Sequence, residues 1–378
     1  MAICQEELRR VCGSLSALMF RENYLAIAGM TAALLIATCA GGQTTSQGVG
    51  NALEAPLPGQ PEKVFEVAAP LYDYSSPDLK PWHLKLSYQV YNEKGEPREP
   101  GTYEYWWASP DTYRSTWKRG TAEHTDWHMQ GKHSWFQSGP SPEFYEWKIQ
   151  SDIFEALPKP EDLNSKKVWF QRETKKIGNA KLPCIMVAPQ MQLHGQVQTL
   201  PLGEFPTYCF EPTKPLLRVY FSYAGMSVIY GELEKVQGRI LPKEFSVYDG
   251  NLRVVKVSLD SVNGIAANAP ELTPAPEAKH GASRVQLDAI VEQGRLLKQT
   301  RPVYPQDAKE ARASGRVVLG AVIGRDGHIH DLQVLEAPFP SLVAAAMIAV
   351  KDWEYKPYLL NGDPVEVETT VNVVFNLR

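Results

Sequence analysis

Four side chains with the spacing of a metal site lie close together in the first half of the chain. His124, Asp126 and His128 occur at every second position, and His133 follows five residues later. In a strand the first three project from one face, where two imidazoles and a carboxylate can bind zinc or copper. The alternative is a solvated polar face of an amphipathic strand, because Trp127 projects to the other side. We favour the polar face and predict no metal site.

The sequence contains no other recognisable catalytic or cofactor motif. It has no glycine-rich phosphate loop, no Gly-x-Ser-x-Gly elbow and no His-Glu-x-x-His pair. We therefore predict that the protein is not an enzyme and needs no cofactor. The 39 basic and 43 acidic residues give a formal net charge of −4, which argues against nucleic acid as a partner.

The N-terminal segment has the composition of an export signal. Residues 24–40 form a charge-free apolar run, arginines precede it, and no Lys or Arg follows until Lys63. This asymmetry predicts export to the periplasm of a Gram-negative-type envelope. The run is shorter than the about 20 apolar residues of a typical membrane-spanning helix. Three outcomes therefore stay open: a signal cleaved after Ala40, a retained inner-membrane anchor, and a lipoprotein attached through Cys39.

Composition divides the rest of the chain into two domains. After the leader at 1–40, residues 41–63 form a spacer, and 266–283 form a proline-rich linker that we expect to be semi-extended. These segments delimit a β-rich domain at 64–265 and a C-terminal domain at 284–378.

Two cysteines, Cys184 and Cys209, lie outside the leader, both in strand-like segments. Their separation suits one disulfide in an oxidising compartment. Two separately buried thiols are the alternative. Neither cysteine belongs to a Cys-x-x-Cys pair, so zinc and thioredoxin-like chemistry are not indicated.

The β-rich domain begins with a strict alternation of apolar and polar residues over 82–90, which predicts a half-buried strand. Aromatic strands with short turns follow to residue 137, residues 142–157 predict a helix, and more strands follow. We predict a large antiparallel, half-barrel-like sheet with helices packed on its concave face. Eight of the nine tryptophans lie in this domain, where they either fill the core or line an apolar cavity.

The order of these strands resembles that of LolA-like half-barrels. The segments that carry the resemblance are GTYEYWWASPDTYRSTW and GRILPKEFSVYDGNLRVVKVSL. The resemblance implies a carrier of lipoproteins or lipids, and therefore a lipid or another apolar ligand as a partner of this domain.

The C-terminal segment predicts a small α+β unit. A helix over 306–315 is followed by a hairpin of strands 316–323 and 328–335, a helix over 340–353 and a last strand over 365–377. We expect a three-stranded antiparallel sheet with two helices, which makes the whole chain α+β.

This segment resembles the TonB C-terminal domain. The residues that carry the resemblance are Tyr304, Pro305, Ala308, Gly315, Arg316, Val317, Val318, Asp326, Gly327, Trp353, Glu354, Tyr355, Lys356, Pro357, Gly362, Pro364, Val365 and Phe375. TonB proteins are held in the inner membrane and driven by a motor complex, and their terminal domain pairs with the TonB box of an outer-membrane receptor. The resemblance therefore implies an outer-membrane receptor as partner and energy-coupled transport as function.

The binding mode that the resemblance implies is the addition of a peptide strand to an exposed sheet edge. We expect the last strand to be that edge, with partner-binding residues Val365, Val367, Thr369, Val371, Val373 and Phe375. Pairing of the same edge with a second copy, in a homodimer, is the alternative.

Two departures from the TonB pattern leave other functions open. Residues 24–40 lack the Ser and His of the motor-contacting helix, and a folded domain replaces the long proline-rich spacer. Besides a receptor-binding protein, the chain could be a periplasmic carrier of an apolar ligand or a structural envelope adaptor that uses its terminal domain only for docking.

Overall fold

The computed structural model describes residues 56–163, 168–189, 202–203, 205–222, 225–281, 284–289 and 294–377. The leader predicted at 1–40 lies outside these residues. Among the helices that the structure describes, none is both long enough and apolar enough to cross a membrane.

The secondary structure is mostly strand. The helices are α1 (Pro61–Ala68), α2 (Phe144–Phe154), α3 (Gln306–Glu310) and α4 (Pro340–Val350). The strands are β1 (Trp82–Tyr91), β2 (Pro97–Ser109), β3 (Thr112–Arg119), β4 (Ala122–Met129), β5 (Lys132–Ser138), β6 (Val168–Ile177), β7 (Ala180–Pro189), β8 (Thr207–Phe210), β9 (Leu217–Phe221), β10 (Met226–Tyr230), β11 (Leu233–Val236), β12 (Arg239–Pro242), β13 (Glu244–Asp249), β14 (Leu252–Gly264), β15 (Lys279–Gly281), β16 (Arg284–Gln286), β17 (Leu296–Lys298), β18 (Gly315–Ile323), β19 (Ile329–Glu336), β20 (Glu354–Tyr355), β21 (Tyr358–Leu360) and β22 (Asp363–Phe375).

One large antiparallel sheet makes up most of the first domain. Its strand order is β15-β5-β4-β3-β2-β1-β14-β13-β10-β9-β8-β7-β6. Side chains of β1 alternate between buried and partly exposed along its whole length, as the period-two pattern predicts. The apolar side chains of β1 lie on one face of the strand, and the polar side chains lie on the face that remains partly in water. The alternation therefore determines which face packs against the helices.

The helices α1 and α2 pack against this sheet around a continuous apolar core. The carboxylate of Glu146 on α2 is buried and accepts a hydrogen bond of 2.7 Å from Tyr88 Oη, and it lies 3.1 Å from Arg119 Nη1. The backbone carbonyl of Glu146 accepts a further bond from Trp117 Nε1. A buried carboxylate needs such partners, and here they fix α2 on the sheet.

Aromatic side chains fill the space between the sheet and its helices. Trp82, Trp107 and Trp117 belong to the same buried cluster as α1 and α2. Two cavities bordered by described residues hold only about 10 Å³ each, which is about the room that one water needs. Trp82, Trp107 and Trp117 therefore pack a core.

The C-terminal residues form a second sheet with the order β16-β22-β18-β19, and β21 forms a hairpin with β22. The three long strands are antiparallel, while β16 pairs with β22 in parallel. The helices α3 and α4 contribute to one core with these strands. The predicted α+β fold class is confirmed, although α3 ends earlier than expected because the chain turns through Arg312 at a φ of 50°.

The proline-rich segment between the domains is more ordered than a semi-extended linker. Residues Pro270–Leu272 form a 3₁₀ turn whose Leu272 packs with Trp106. Further along, β15 pairs with β5 at the edge of the large sheet. The sequence gives no strand pattern here because only three residues form the added strand.

A disulfide joins Cys184 on β7 to Cys209 on β8, at directly paired positions. The predicted pairing is confirmed. Both cysteines are fully buried in a small apolar cluster with Leu182 and Val219, so the bond ties neighbouring strands inside the sheet.

Replacing both cysteines, Cys184→Ala with Cys209→Ala, should lower the free energy of unfolding by about 3 kcal/mol. A closed loop of this length restricts the unfolded chain by about that amount. Denaturant unfolding measures the change, and the wild-type protein in reductant controls for the lost sulfur volume. A loss below about 1 kcal/mol in both samples would show that the bond contributes little.

Candidate functional site

The strand β22 is paired along one side over nearly its whole length but only in part along the other. On one side β18 pairs with it from Val367 to Phe375. On the other side β16 covers Glu366 to Glu368. The hairpin strand β21 pairs with the start of β22, up to Val365. Among the described residues, no strand pairs with the outer side of β22 beyond Glu368. The open part of this edge is therefore shorter than the sequence predicts.

The direction of the backbone groups on β22 follows from one hydrogen bond. The carbonyl of Glu368 accepts from the N–H of Leu287, next to β16, so the backbone of Glu368 points away from β18. Backbone direction alternates along a strand, and the pairing with β18 has no register shift. The N–H and C=O groups of Thr370, Asn372 and Val374 therefore point outward, and those of the intervening residues point to β18.

The side chains of the predicted partner-binding residues face the core instead of the open edge. Each is at most 5% exposed, and the set is Val365, Val367, Thr369, Val371, Val373 and Phe375. Sequence alternation finds the buried face of the strand but not which backbone groups are free. A partner strand at this edge would bond the backbone of the residues in between, and it would meet Val374, whose side chain is 59% exposed.

Several residues of the TonB-like pattern hold the turns and caps of the C-terminal domain. Tyr304 packs edge-on against Phe375, and its hydroxyl bonds to the carbonyl of Ala313. Pro305 precedes the first turn of α3. Gly315, at a φ of 148°, starts β18. Because Gly315 and Phe375 are paired, these contacts fix one end of the sheet to the loop before α3.

The remaining pattern residues surround the hairpin turn between β18 and β19. A Cβ on Gly327 would lie 1.9 Å from the carbonyl oxygen of Tyr355, and Pro357 lies next to it. The indole of Trp353 donates to the carbonyl of Thr300 over 2.8 Å. Asp326 accepts from the N–H of His328, and Gly362, at a φ of 95°, lies in the turn before β22. These residues fix the fold, and none of them projects from the open edge.

The histidine cluster of β4 and β5 is more buried than a solvated polar face. Asp126 accepts from His124 Nε2 at 2.6 Å and from His133 Nε2 at 2.8 Å. Both histidines are almost fully buried, so the prediction of a solvated face is wrong. The polar groups can be buried because they satisfy one another.

The chemistry of this cluster is that of an ion pair. Within the described ranges, no group of three or more His, Cys, Asp or Glu side chains has the arrangement of a metal site. Burial alone raises the pKa of Asp126, but His124, His133 and Arg325 lower that pKa well below its usual value. Burial and the neighbouring His133 lower the pKa of His128 to about 4. Asp126 is therefore charged and His128 neutral near pH 7.

Arg325, in the turn between β18 and β19, reaches this cluster from the other domain. Its guanidinium lies 3.4 Å from Asp126 Oδ1 and 4.6 Å from the ring centre of Trp135. Five residues further along, the ring of His330 stacks on Trp147 of α2 at 4.5 Å. We call these six residues the interdomain cluster: Asp126, His133, Trp135, Trp147, Arg325 and His330.

The interdomain cluster could not be predicted as a whole from the sequence. The histidines of β4 and β5 form a visible pattern, but no pattern gives a partner to Arg325 or His330. Arg325 belongs to an ordinary Gly-Arg-Asp-Gly turn, and nothing local distinguishes its charge from that of an exposed turn residue.

Comparison with known proteins identifies the C-terminal part of the chain. Residues 300–377 match the family model described as Gram-negative bacterial TonB protein C-terminal. The solution structure of the TonB C-terminal domain from Pseudomonas aeruginosa is 33% identical, covering 22% of this chain and 85% of that domain, with a TM-score of 0.20. No curated protein matches the chain.

The large sheet has more distant structural neighbours. A LolA superfamily protein from Nitrosomonas europaea covers 56% of this chain and 97% of its own, at 8% identity and a TM-score of 0.36. A putative outer-membrane lipoprotein-sorting protein domain from Vibrio parahaemolyticus has the same coverage and identity, with a TM-score of 0.33. These likenesses are too slight to assign a ligand. The family is assigned by the C-terminal match: through residues 300–377, the chain belongs to the family of TonB C-terminal domains.

Proposed function

We propose that this protein is a TonB-like component of the cell envelope that binds a peptide of an outer-membrane receptor by strand addition. The proposal includes a periplasmic location and a contribution to energy-coupled transport. The observation that carries it is the open outer edge of β22, where backbone groups of Thr370, Asn372 and Val374 point away from the sheet. Backbone hydrogen bonds to such an edge give a peptide affinity with little demand on its side chains.

The surroundings of the edge favour a peptide over a small ligand. Asn372 and Val374 project on the face opposite the core, and Val374 is more than half exposed. An added strand would place alternate side chains beside them, at the spacing that cross-strand pairs use.

Residues 24–40, the segment that would contact an inner-membrane motor complex, lie outside the described residues. A link to a motor complex would require that residues 24–40 stay in the membrane. The mature N-terminus, measured by intact mass with membrane fractionation, separates an anchored transducer from a released binding protein.

Replacing Asn372 by proline should weaken binding of a peptide that carries the TonB box of an outer-membrane receptor. The substitution removes one outward N–H and places the proline ring in the path of the added strand. Loss of one such bond alone corresponds to a dissociation constant about three- to tenfold higher. Isothermal titration calorimetry with the full chain measures the change.

The matched control is Asn372→Ala, which removes the same side chain but keeps the backbone donor. It should bind the peptide as the wild type does. Equal binding by both variants and the wild type would contradict use of this edge. Val371→Pro is unsuitable as a test, because the N–H of Val371 points to β18 and its loss should destabilise the sheet itself.

The homodimer alternative makes a different prediction for the same variants. If the edge of β22 pairs with a second copy, sedimentation should show a concentration-dependent dimer that Asn372→Pro abolishes. A monomer that binds the peptide supports the receptor-binding function instead.

A further inference from the structure

The two edges of the C-terminal sheet differ in what covers them. The β22 edge is open from Thr370 to Val374, as described above. The strand β19 forms the other edge, and α2 of the first domain packs against it. Two open edges on one sheet would allow copies to pair in an unlimited series.

The helix α2 reaches both sides of the C-terminal sheet at β19. On the side covered by α4, Phe144 packs against the C-terminal core. Lys351, just after α4, lies 2.7 Å from Asp249 Oδ2, which also accepts from Tyr145 Oη. On the opposite side Trp147 stacks on His330, whose ring approaches Glu366. A helix with contacts on both sides lies across the edge of β19.

Arg325 is the charged anchor of this contact. Its side chain is only 9% exposed, and Asp126 is held toward it by two histidines. The ring of Trp135, on which the Arg325 guanidinium lies, also contacts Lys279, whose Nζ is 5.0 Å from the ring centre. Lys279 forms an ion pair with Asp363 at the start of β22. Buried charges of this kind are costly unless paired, so the pair favours a single position of one domain on the other.

We propose that the large-sheet domain is the intramolecular partner of the β19 edge, held there by the interdomain cluster, so that only β22 can accept a strand. Release of this contact exposes β19, which then pairs with a second copy of the chain. The inference does not depend on what binds at β22, and the residues of β4, β5 and α2 on one side of the contact lie outside the TonB family match.

The test uses the full chain with Arg325→Gln and, separately, Lys351→Gln. Each removes one charged contact between the domains. Amide hydrogen exchange at Ile329–Leu332 should become about tenfold faster, the change expected when one charge-assisted contact is lost. The exchange of β1 and β14 should not change, which shows that the large sheet stays folded. Sedimentation should show a dimer that grows with concentration.

Arg316→Gln is the matched control, because Arg316 pairs with Glu336 in the same domain and both side chains are 58% exposed. It should exchange and sediment as the wild type does. Wild-type exchange and a monomer in both interface variants would overturn the proposal. In the double variant Arg325→Gln with Asn372→Pro, a persistent dimer supports pairing through β19, and its loss would overturn that part.

Binding of the TonB-box peptide separates this inference from the proposed function. Arg325→Gln should keep the peptide affinity of the wild type because it leaves the β22 edge intact. Faster exchange at β19 without any peptide binding would support the intramolecular contact and count against the receptor-binding function alone.

The stability of the C-terminal domain should depend on pH through His330. Burial lowers the pKa of His330, but Asp326 in its own turn and Glu366 on β22 raise it above its usual value near 6.5. Arg325 and the ring of Trp147 are the other groups of the cluster near it. Because both carboxylates lie in the same domain as His330, the raised pKa gives this folded domain stability that is complete below about pH 6.5 and is lost as the pH rises through the pKa of the folded state.

His330→Gln should therefore reduce the protection of the β19 amides more at pH 6 than at pH 9, after correction for intrinsic exchange rates. His128, whose pKa is lowered to about 4, stays neutral at both pH values. An equal effect of the substitution at both pH values would show that the charge of His330 does not stabilise the C-terminal sheet.

Discussion

Backbone hydrogen bonding at strand edges is the constraint on which this structure depends. A strand with unpaired N–H and C=O groups can pair with another strand, so the edges of the sheets in a β-rich chain need to be covered. In the large sheet, β15, a strand from the segment between the domains, pairs with the edge strand β5. In the C-terminal sheet, β16 pairs with the first part of β22, and α2 packs against β19. The segment left over on β22 is the candidate binding site.

Much of the architecture could be predicted from local patterns. The alternation in β1, the Asp-Gly turn before β19 and the helix at α2 each follow from residues that are adjacent in sequence. The disulfide was also predictable, since the leader predicts export and two cysteines in strand-like segments suit a disulfide in an oxidising compartment. Such features depend on periodicity and turn chemistry, which a single sequence displays.

The candidate site was only partly predictable, because its definition depends on distant partners. Alternation identifies Val371 and Val373 as one face of a strand, but only the bond from Leu287 to Glu368 shows which backbone groups are free. Likewise, His124 and Asp126 suggest a polar face, but Trp147 of α2 packs on His124, and Arg325 of the other domain pairs with Asp126. Contacts between residues 199 positions apart leave no local trace in the sequence.

The ladder between β22 and β18 has a mechanical consequence. Nine consecutive residue pairs join these antiparallel strands without a register shift. A strand added to the outer side of β22 would run along the same axis, so tension on it would act in shear. Bonds loaded in shear share the load, whereas bonds pulled apart at one end break in turn. The orientation of β22 thus suits it to sustained tension, and the open stretch from Thr370 to Val374 sets how many bonds with the added strand share the load.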